Sequence, residues 1–274
     1  PESLTRLWEA VARRELETVP QQGPPGCFFF AGPTGVGKTE TAKTLGEVLF
    51  GENRCLRIDC SEYKTLGSLE SLLGDRAGDR GRLGRAHAKA PEGLWLWDEI
   101  EKGHPELAQL FLQIADEGRV TLACGETLDL CRTYLILTSN LGSAEIIGRE
   151  HLPFTSLELH VVRAIERFLR PELLARFGSP FVFRPLGREI QSEIAGQRLT
   201  DLLLWQQSKG RSITAGPEVL PFLVHRGFSR RFGARPLIAF IEENVGNAIK
   251  DNILSGGTGN GCLVVAENRL RLST

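Results

Sequence analysis

The sequence contains no methionine, only two tyrosines and no long apolar run. No segment approaches the roughly eighteen apolar residues of a bilayer span, and no secretory signal is recognisable. We therefore expect no membrane partner and a cytoplasmic location. The missing methionine, together with a start at Pro1, predicts a fragment or a processed chain, so that function would partly reside outside it.

Neither sign of charge is in excess, because 33 basic and 34 acidic residues leave a formal net charge of −1. This balance gives no overall electrostatic attraction to nucleic acid or anionic lipid. The six cysteines show no CxxC or Cys/His ligand spacing, so they do not indicate a metal site. Several lie inside predicted strands, and we expect them to be buried, reduced thiols.

One glycine-rich segment has the pattern of a phosphate-binding loop and follows the apolar run Cys27–Ala31. This phosphate loop consists of Gly32, Pro33, Thr34, Gly35, Val36, Gly37, Lys38 and Thr39. Glycines allow backbone amides to surround a polyphosphate, and a helix beginning near Gly37 would point its positive end at the same oxygens. Lys38 would neutralise the β- and γ-phosphates, and Thr39 would offer its hydroxyl to Mg²⁺. The segment predicts binding of ATP and Mg²⁺ in preference to a chance glycine-rich turn.

A second motif lies at residues 94–99, where the apolar run Leu94–Trp97 ends in Asp98 and Glu99. Carboxylates at the carboxyl end of a buried parallel strand face the ligand crevice. Asp98 would hold Mg²⁺, and Glu99 would polarise the water that attacks the γ-phosphate. Two acids after an apolar strand are by themselves a weak indication of a metal and catalytic site. Together with a phosphate loop in the same sequence, they are a strong one.

These motifs, with others in the same order, resemble the AAA+ module of Clp-type unfoldases and disaggregases, and more narrowly its second-ring version. The resemblance runs from about residue 27 to the C-terminus. The matching stretches are Gly32–Lys43, Asp59–Tyr63, Asp98–Pro105, Asp116–Thr121, Thr138–Asn140, Arg170–Phe177 and Gly233–Leu237.

The resemblance implies three further site residues. Asn140 matches sensor 1, which orients the attacking water, although a strand-ending Asn is also an ordinary turn residue. Arg176 matches the arginine finger that reaches the nucleotide of a neighbouring subunit. A surface salt bridge is the alternative there, since Ala175 replaces the family's usual Asn. Arg235 matches sensor 2, which contacts the γ-phosphate from the C-terminal lid. The family also implies self-association into a hexameric ring.

Alternating strand and helix patterns predict a three-layer α/β fold with a parallel five-stranded sheet. We expect its strands near residues 27–31, 55–59, 94–98, 133–138 and 181–184. After Pro185 the pattern predicts helices at about 187–207, 217–226 and 235–254, and then a small β-hairpin at 262–266 and 269–272. We therefore predict an AAA+ nucleotide-binding large subdomain at residues 1–185 and a mostly helical lid subdomain at 186–274.

The N-terminal segment predicts a helix that is followed by a linker, Pro20–Gly26. The apolar face of this helix would consist of Leu4, Leu7, Trp8, Val11 and Leu16.

Two departures from the family pattern affect the functional interpretation. Clp-type unfoldases carry an aromatic residue on the loop that grips the translocating polypeptide, whereas the equivalent stretch Leu73–Leu83 is shorter and has none. Arg76, Arg80 and Arg82 in this stretch, and Arg85 just after it, would favour an acidic or polyanionic partner unless the Arg and Asp charges of the loop pair with each other. The family's adenine-holding Val-Gly box is not recognisable either, so adenine rests on the resemblance.

The sequence therefore predicts ATP hydrolysis by a ring-forming module that remodels or unfolds an unidentified protein substrate, directly or through an adaptor. Two alternatives stay open. One is a nucleic-acid-associated AAA+ ATPase that uses the arginine-rich stretch, which is possible but not favoured. The other is a nucleotide-binding assembly or regulatory subunit without threading activity.

Overall fold

The computed structural model describes residues 2–16, 23–76, 78–149 and 151–273. The chain divides into two compact units. The first comprises Pro1–Pro33 and Gly37–Arg184, and the second comprises Thr34–Val36 and Pro185–Thr274. Residues 20–22 of the predicted linker lie outside the described part of the chain.

A five-stranded parallel sheet organises the first unit, which confirms the predicted fold class. Its strands and those of one short hairpin are β1 (Cys27–Ala31), β2 (Cys55–Asp59), β3 (Gly93–Asp98), β4 (Arg119–Thr121), β5 (Thr127–Asp129), β6 (Thr133–Ser139) and β7 (Phe181–Val182). The sheet order is β2-β3-β6-β1-β7 with every neighbouring pair parallel, and β4 pairs with β5 in an antiparallel hairpin. The sequence pattern missed this hairpin because each of its strands has only three residues.

Helices cover both faces of this sheet, as its apolar strands require. Those of the first unit are α1 (Glu2–Glu15), α2 (Lys38–Phe50), α3 (Leu66–Leu73), α4 (Gly81–Lys89), α5 (Leu107–Glu117), α6 (Ser143–Gly148), α7 (Phe154–Glu166) and α8 (Pro171–Phe177). Strands β3 and β6 are buried along their whole length. In the core, the rings of Trp97 and Phe111 meet edge to face with their centroids 4.9 Å apart.

Helix α1 buries a narrower face than its sequence predicts. Leu7 and Val11 are buried, whereas Leu4, Trp8 and Leu16 are 48%, 59% and 78% exposed. The prediction of one continuous apolar face is therefore wrong for three of its five residues.

The second unit combines three helices with a small sheet. Its elements are α9 (Arg188–Ser208), β8 (Ile213–Ala215), α10 (Val219–Gly227), α11 (Ala234–Leu254), β9 (Gly261–Ala266) and β10 (Arg269–Ser273). The predicted hairpin of β9 and β10 is confirmed, and β8 adds a parallel third strand that the sequence did not predict. None of the helices in the described ranges combines the length and the apolar character that a bilayer span needs.

The cysteines are all free thiols, but the expectation that they are buried is correct only for Cys60. Four are half-buried, and Cys131 is exposed because it lies in the turn that connects β5 to β6. Burial raises the pKa of the Cys27 thiol to about 12, and burial also raises the pKa of the Cys60 thiol. Since the thiolate is the reactive form, both are protected by their surroundings.

This arrangement predicts an order of alkylation in the native protein. We expect iodoacetamide at pH 8 to modify Cys131 well before Cys60 and Cys27. Partial burial raises the pKa of Cys131 as well, so the order depends on accessibility. Peptide mass spectrometry over a time course measures it, with a urea-unfolded sample as the control in which all six react. Modification of Cys60 as fast as Cys131 would contradict the packing described above.

Candidate active site

The phosphate loop connects β1 to α2, and its glycines adopt conformations that other residues avoid. Gly32 has φ +155°, and a Cβ there would lie 2.5 Å from the carbonyl oxygen of Phe183. Gly37 has φ +97°, and a Cβ there would meet open space. Within the described residues no side chain caps the first amides of α2, so these amides are suited to bind an anion.

The middle of the loop, Thr34–Val36, is a turn that groups with the second unit. There the amide of Ala234 donates to the carbonyl oxygen of Gly35 at 3.1 Å.

Lys38 begins α2 and is buried, at 6% exposure. Its Nζ donates to the carbonyl oxygens of Gly32 at 2.6 Å and Pro33 at 2.8 Å, and to Oδ1 of Asn140 at 3.0 Å. The ammonium group is therefore held under the phosphate loop and at the end of β6. A buried ammonium group so placed supplies positive charge where a polyphosphate would lie.

Asp98, at the end of β3, is a buried carboxylate that accepts hydrogen bonds from three other elements. Thr39 Oγ1 of α2 lies 3.3 and 3.2 Å from its two oxygens. Thr138 Oγ1 of β6 donates to Oδ1. Arg57 of β2 donates to Oδ2 through Nε at 3.1 Å and Nη2 at 2.6 Å. Burial alone would raise the pKa of Asp98, but the hydrogen bonds from Thr138, Arg57 and Thr39 outweigh it and hold the pKa below its usual value.

Glu99 follows in a left-handed backbone conformation, φ 57° and ψ 52°, which is uncommon for a residue other than glycine. Its amide donates to Thr138 Oγ1 at 3.2 Å, which helps to hold this turn. Its Oε1 accepts from Asn140 Nδ2 at 3.2 Å, and its Oε2 accepts from Lys102 Nζ at 2.6 Å. The backbone therefore turns the carboxylate towards Asn140. Such outliers concentrate at functional sites.

Asn140 joins the two halves of the site, because its side chain accepts from Lys38 and donates to Glu99. Glu101 fixes its orientation. One carboxylate oxygen of Glu101 accepts from the amide of Asn140 at 3.1 Å and from its Nδ2 at 3.2 Å, and the other accepts from Ser139 Oγ at 2.8 Å.

Arg57, Glu101 and Thr138 were not among the predicted site residues. A signal for Arg57 was present, since it is the one basic residue in the strand Cys-Leu-Arg-Ile-Asp. Glu101 lies in the acidic motif, but its partners Ser139 and Asn140 are distant in sequence, so the spacing of residues could not predict these contacts. Thr138 belonged to the matching stretch Thr138–Asn140, but the sequence assigned no role to it.

The two arginines implied by the family resemblance lie outside this group of contacts. Arg176, in α8, is exposed, and its Nε lies 2.5 Å from Oδ1 of Asp116 on α5. Arg235 is exposed in the first turn of α11, in the second unit.

The arginine-rich stretch is a short loop followed by a helix. We name the described residues between α3 and α4, 74–76 and 78–80, the α3–α4 loop; Arg82 and Arg85 lie on α4 instead. Three of the four arginines are paired: Arg80 with Glu126, Arg85 with Asp79 and Arg82 with Glu62. Arg85 therefore pairs with Asp79 of the same stretch, as the alternative left open by the sequence expects, whereas Arg80 and Arg82 pair with acids outside the stretch.

The side-chain oxygens of Thr39, on α2, and of Asp98, at the end of β3, are suitable ligands for a magnesium ion. Thr39 and Asp98 offer hard oxygen ligands within 3.3 Å of each other. Among the described residues no group of three His, Cys, Asp or Glu side chains could hold a metal by itself. Mg²⁺ matches this sparse set because it keeps several waters and takes further oxygens from nucleotide phosphates.

A parallel sheet that carries a glycine-rich loop after β1, with buried Asp98 and half-buried Glu99 at the end of β3, defines a P-loop nucleotide hydrolase. Comparison with known families narrows this class. The family described as "AAA domain (Cdc48 subfamily)" matches residues 24–179, more than half of the chain, and the "C-terminal, D2-small domain, of ClpB protein" matches residues 186–266. The chain belongs to the Clp-type AAA+ ATPases, a family that hydrolyses ATP.

Curated relatives include chaperone ClpB of Vibrio cholerae, 36% identical over 262 residues that cover 93% of this chain and 31% of the relative. ClpB of Meiothermus ruber is 35% identical over 275 residues, which are 95% of this chain and 31% of the relative. The chain thus spans about a third of the length of these relatives.

Solved structures of Hsp104 share the fold. A closed-state Hsp104 with ATPγS and FITC-casein gives a TM-score of 0.84 at 30% identity, covering 99% of this chain and 48% of that one. A Saccharomyces cerevisiae Hsp104–ADP complex gives 0.85 at 29% identity, covering 100% of this chain and 50% of that one. The similarity therefore extends over both units.

The bridging position of Asn140 predicts a separation of binding from turnover. In Asn140→Ala we expect nucleotide affinity to change little, because Lys38 keeps its two backbone acceptors. ATP turnover should fall by about 10²-fold, since Glu99 loses the amide that orients it. Fluorescent-nucleotide titration and phosphate release measure the two quantities.

Asn244→Ala is the matched control, because the side-chain amide of Asn244 donates to the Phe240 carbonyl within its own helix, α11. Unchanged turnover in Asn140→Ala would show that the bridge has no role in the reaction.

Proposed function

We propose that this chain hydrolyses ATP in the group formed by the phosphate loop, Asp98, Glu99 and Asn140, as the second-ring module of a protein-remodelling machine. The observation that supports this most is the continuous chain of contacts from Lys38 through Asn140 to Glu99. It links the charge that would bind phosphate to the carboxylate that would polarise water.

Each residue has a proposed role in that reaction. The loop amides and Lys38 bind the β- and γ-phosphates, and Thr39 and Asp98 hold Mg²⁺. A bound Mg²⁺ would neutralise charge on the phosphates. Glu99 accepts a proton from the attacking water, and Asn140 fixes the geometry of this pair.

Arg176 and Arg235 are proposed to complete the site. Arg176 would serve the nucleotide of a neighbouring subunit, in a closed ring that we expect to be a hexamer. Its ion pair with Asp116 is exposed on both sides, at 57% and 37%, so it can be exchanged at little cost. Arg235 would reach the γ-phosphate from the lid. We propose residues 1–185 as the nucleotide-binding subdomain and 186–274 as that lid.

The proposed substrate is a protein, and the α3–α4 loop limits how it is held. Aromatic side chains provide an apolar grip that tolerates any sequence, and this loop has none. Since Arg80 and Arg85 pair within the chain, an acidic partner would meet mainly Arg76, which is exposed. The same pairing leaves little free charge for nucleic acid, so that alternative is not favoured. A cytoplasmic location stays a prediction.

The first test separates binding from hydrolysis. Glu99→Gln should bind ATP normally and lose turnover by at least about 10²-fold, because the amide keeps the shape but cannot accept a proton. Lys38→Ala should lose ATP binding itself. Calorimetric titration and phosphate release measure both, and Glu117→Gln, a change in an exposed acid paired with Arg119, is the control.

Equal ATP affinity in Lys38→Ala and the unaltered chain would refute the phosphate-loop assignment. ATP binding without turnover in the unaltered chain would instead support a regulatory subunit.

The second test asks whether Arg176 acts on a neighbour. Arg176→Ala should bind ATP and lose most turnover, and mixing it with Lys38→Ala subunits should restore part of the activity. Recovery is expected because some interfaces would then combine an intact loop with an intact finger. Asp116→Asn is the matched control, since it removes the ion pair but keeps the guanidinium. If mixing restores nothing and turnover does not depend on protein concentration, Arg176 has no role in a neighbouring site.

A further inference from the structure

The guanidinium group of Arg57 is hydrogen-bonded to Asp98, the carboxylate that would hold the metal. Arg57 donates to Oδ2 of Asp98 through two nitrogens, at 3.1 and 2.6 Å. The Asp98 side chain is 6% exposed and that of Arg57 is 45% exposed, so a buried anion is neutralised by a cation that reaches it from the surface. Such charge-assisted bonds are among the stronger ones that side chains make.

The remaining acceptor positions of Asp98 are taken as well. Thr138 donates to Oδ1, and the Thr39 hydroxyl lies within reach of both oxygens. For a divalent cation to bind here, the Thr39 proton must turn away, and the cation must share the carboxylate with the charge of Arg57. Two cations beside one carboxylate repel each other, and the low polarity around a buried group strengthens this repulsion.

The main chain of Arg57 is anchored from outside the site. Nη2 of Arg82, in the first turn of α4, donates to the Arg57 carbonyl oxygen at 2.8 Å, and Nη1 of Arg82 donates to Tyr63 Oη at 3.0 Å. Strand β2 also pairs with β3 in register, with Arg57 opposite Leu96 and Asp59 opposite Asp98. Arg57 is therefore placed two positions back along the neighbouring strand, from which its side chain reaches forward to Asp98.

We infer that Arg57 is a positioning residue that serves as the counter-ion of Asp98 and competes with the divalent cation for this carboxylate. It thereby sets the cation concentration at which the site fills. This inference rests on the proposed function, because it assumes that Thr39 and Asp98 hold the metal of a bound nucleotide. When no metal is bound, the charge of Arg57 neutralises the buried carboxylate of Asp98. When a divalent cation approaches, the same charge repels it and weakens its binding.

Arg57→Gln tests this inference, with direct Mn²⁺ binding measured by electron paramagnetic resonance on the full chain at saturating ADP. We expect the dissociation constant for Mn²⁺ to fall by about tenfold, because a competing positive charge is gone. The thermal midpoint in EDTA should fall, and Mn²⁺ with ADP should recover more of it than in the unaltered chain. A role confined to packing would lower the midpoint without tightening Mn²⁺ binding.

Arg57→Lys keeps the charge but loses one of the two contacts with Asp98, so it should recover most of the stability and bind Mn²⁺ more tightly than the unaltered chain but less tightly than Arg57→Gln. It also keeps the test valid if Arg57→Gln does not fold. In that case Arg57→Lys, which loses the second contact, should still bind Mn²⁺ more tightly than the unaltered chain. Arg80→Gln is the matched control, because it removes a similarly exposed arginine, paired with Glu126, that does not contact Asp98.

Unchanged or weaker Mn²⁺ binding in Arg57→Gln would overturn the inference, as would an equal effect in Arg80→Gln. If Arg57→Gln does not fold, Mn²⁺ binding in Arg57→Lys no tighter than in the unaltered chain would overturn it too. If the unaltered chain binds neither ADP nor Mn²⁺, the proposed function is refuted, and the inference about Arg57 falls with it. ADP affinity in EDTA, which does not involve the metal, distinguishes the two failures.

Discussion

Burial of the Asp98 carboxylate is the constraint on which the rest of the site depends. A buried charge is tolerated only when donors surround it, and among the described residues no other side chain of β3 donates to Asp98. The donors must therefore come from neighbouring elements, and they do: Thr39 from α2, Arg57 from β2 and Thr138 from β6. One acid thus fixes the relative positions of three segments that are distant in sequence.

The order of the strands makes this convergence possible. Strand β3 lies between β2 and β6, and β6 lies next to β1, so the carboxyl ends of four consecutive strands meet at one edge. Polar residues that end these strands, or follow them directly, therefore become neighbours. The phosphate loop after β1 and Asn140 after β6 meet in this way, and Lys38 bonds to both.

The sequence predicted those parts of the protein that repeat a strong local pattern. Five apolar runs with helical segments between them predicted the parallel sheet, and the glycine spacing predicted where the phosphate loop lies. It could not predict contacts that depend on which strands are neighbours. Arg57 illustrates this, since a basic residue in a strand gains a partner only when β2 is placed beside β3.

Burial was the other quantity that local patterns predicted poorly. The apolar spacing of the N-terminal segment treated Leu4, Leu7, Trp8, Val11 and Leu16 as one face, but of these five only Leu7 and Val11 are buried. For the cysteines, membership of a strand was taken to imply burial, whereas Cys27 and Cys55 lie in strands and are only half-buried. The spacing of apolar residues along the sequence shows on which side of a helix or strand a side chain lies. It does not show whether another segment packs against that side.

The backbone of Glu99 shows how the site is separated from the core that supports it. Every residue of β3 up to and including Asp98 is buried, so both faces of this strand are covered. At Glu99 the chain leaves the sheet in a left-handed turn, which costs about 1 kcal/mol or more for such a residue. The hydrogen bond from its amide to Thr138 offsets part of this cost, and Thr138 also donates to Asp98. The same hydroxyl group therefore holds the buried carboxylate of Asp98 and the turn that directs the carboxylate of Glu99 towards Asn140, so that two adjacent acids have different environments.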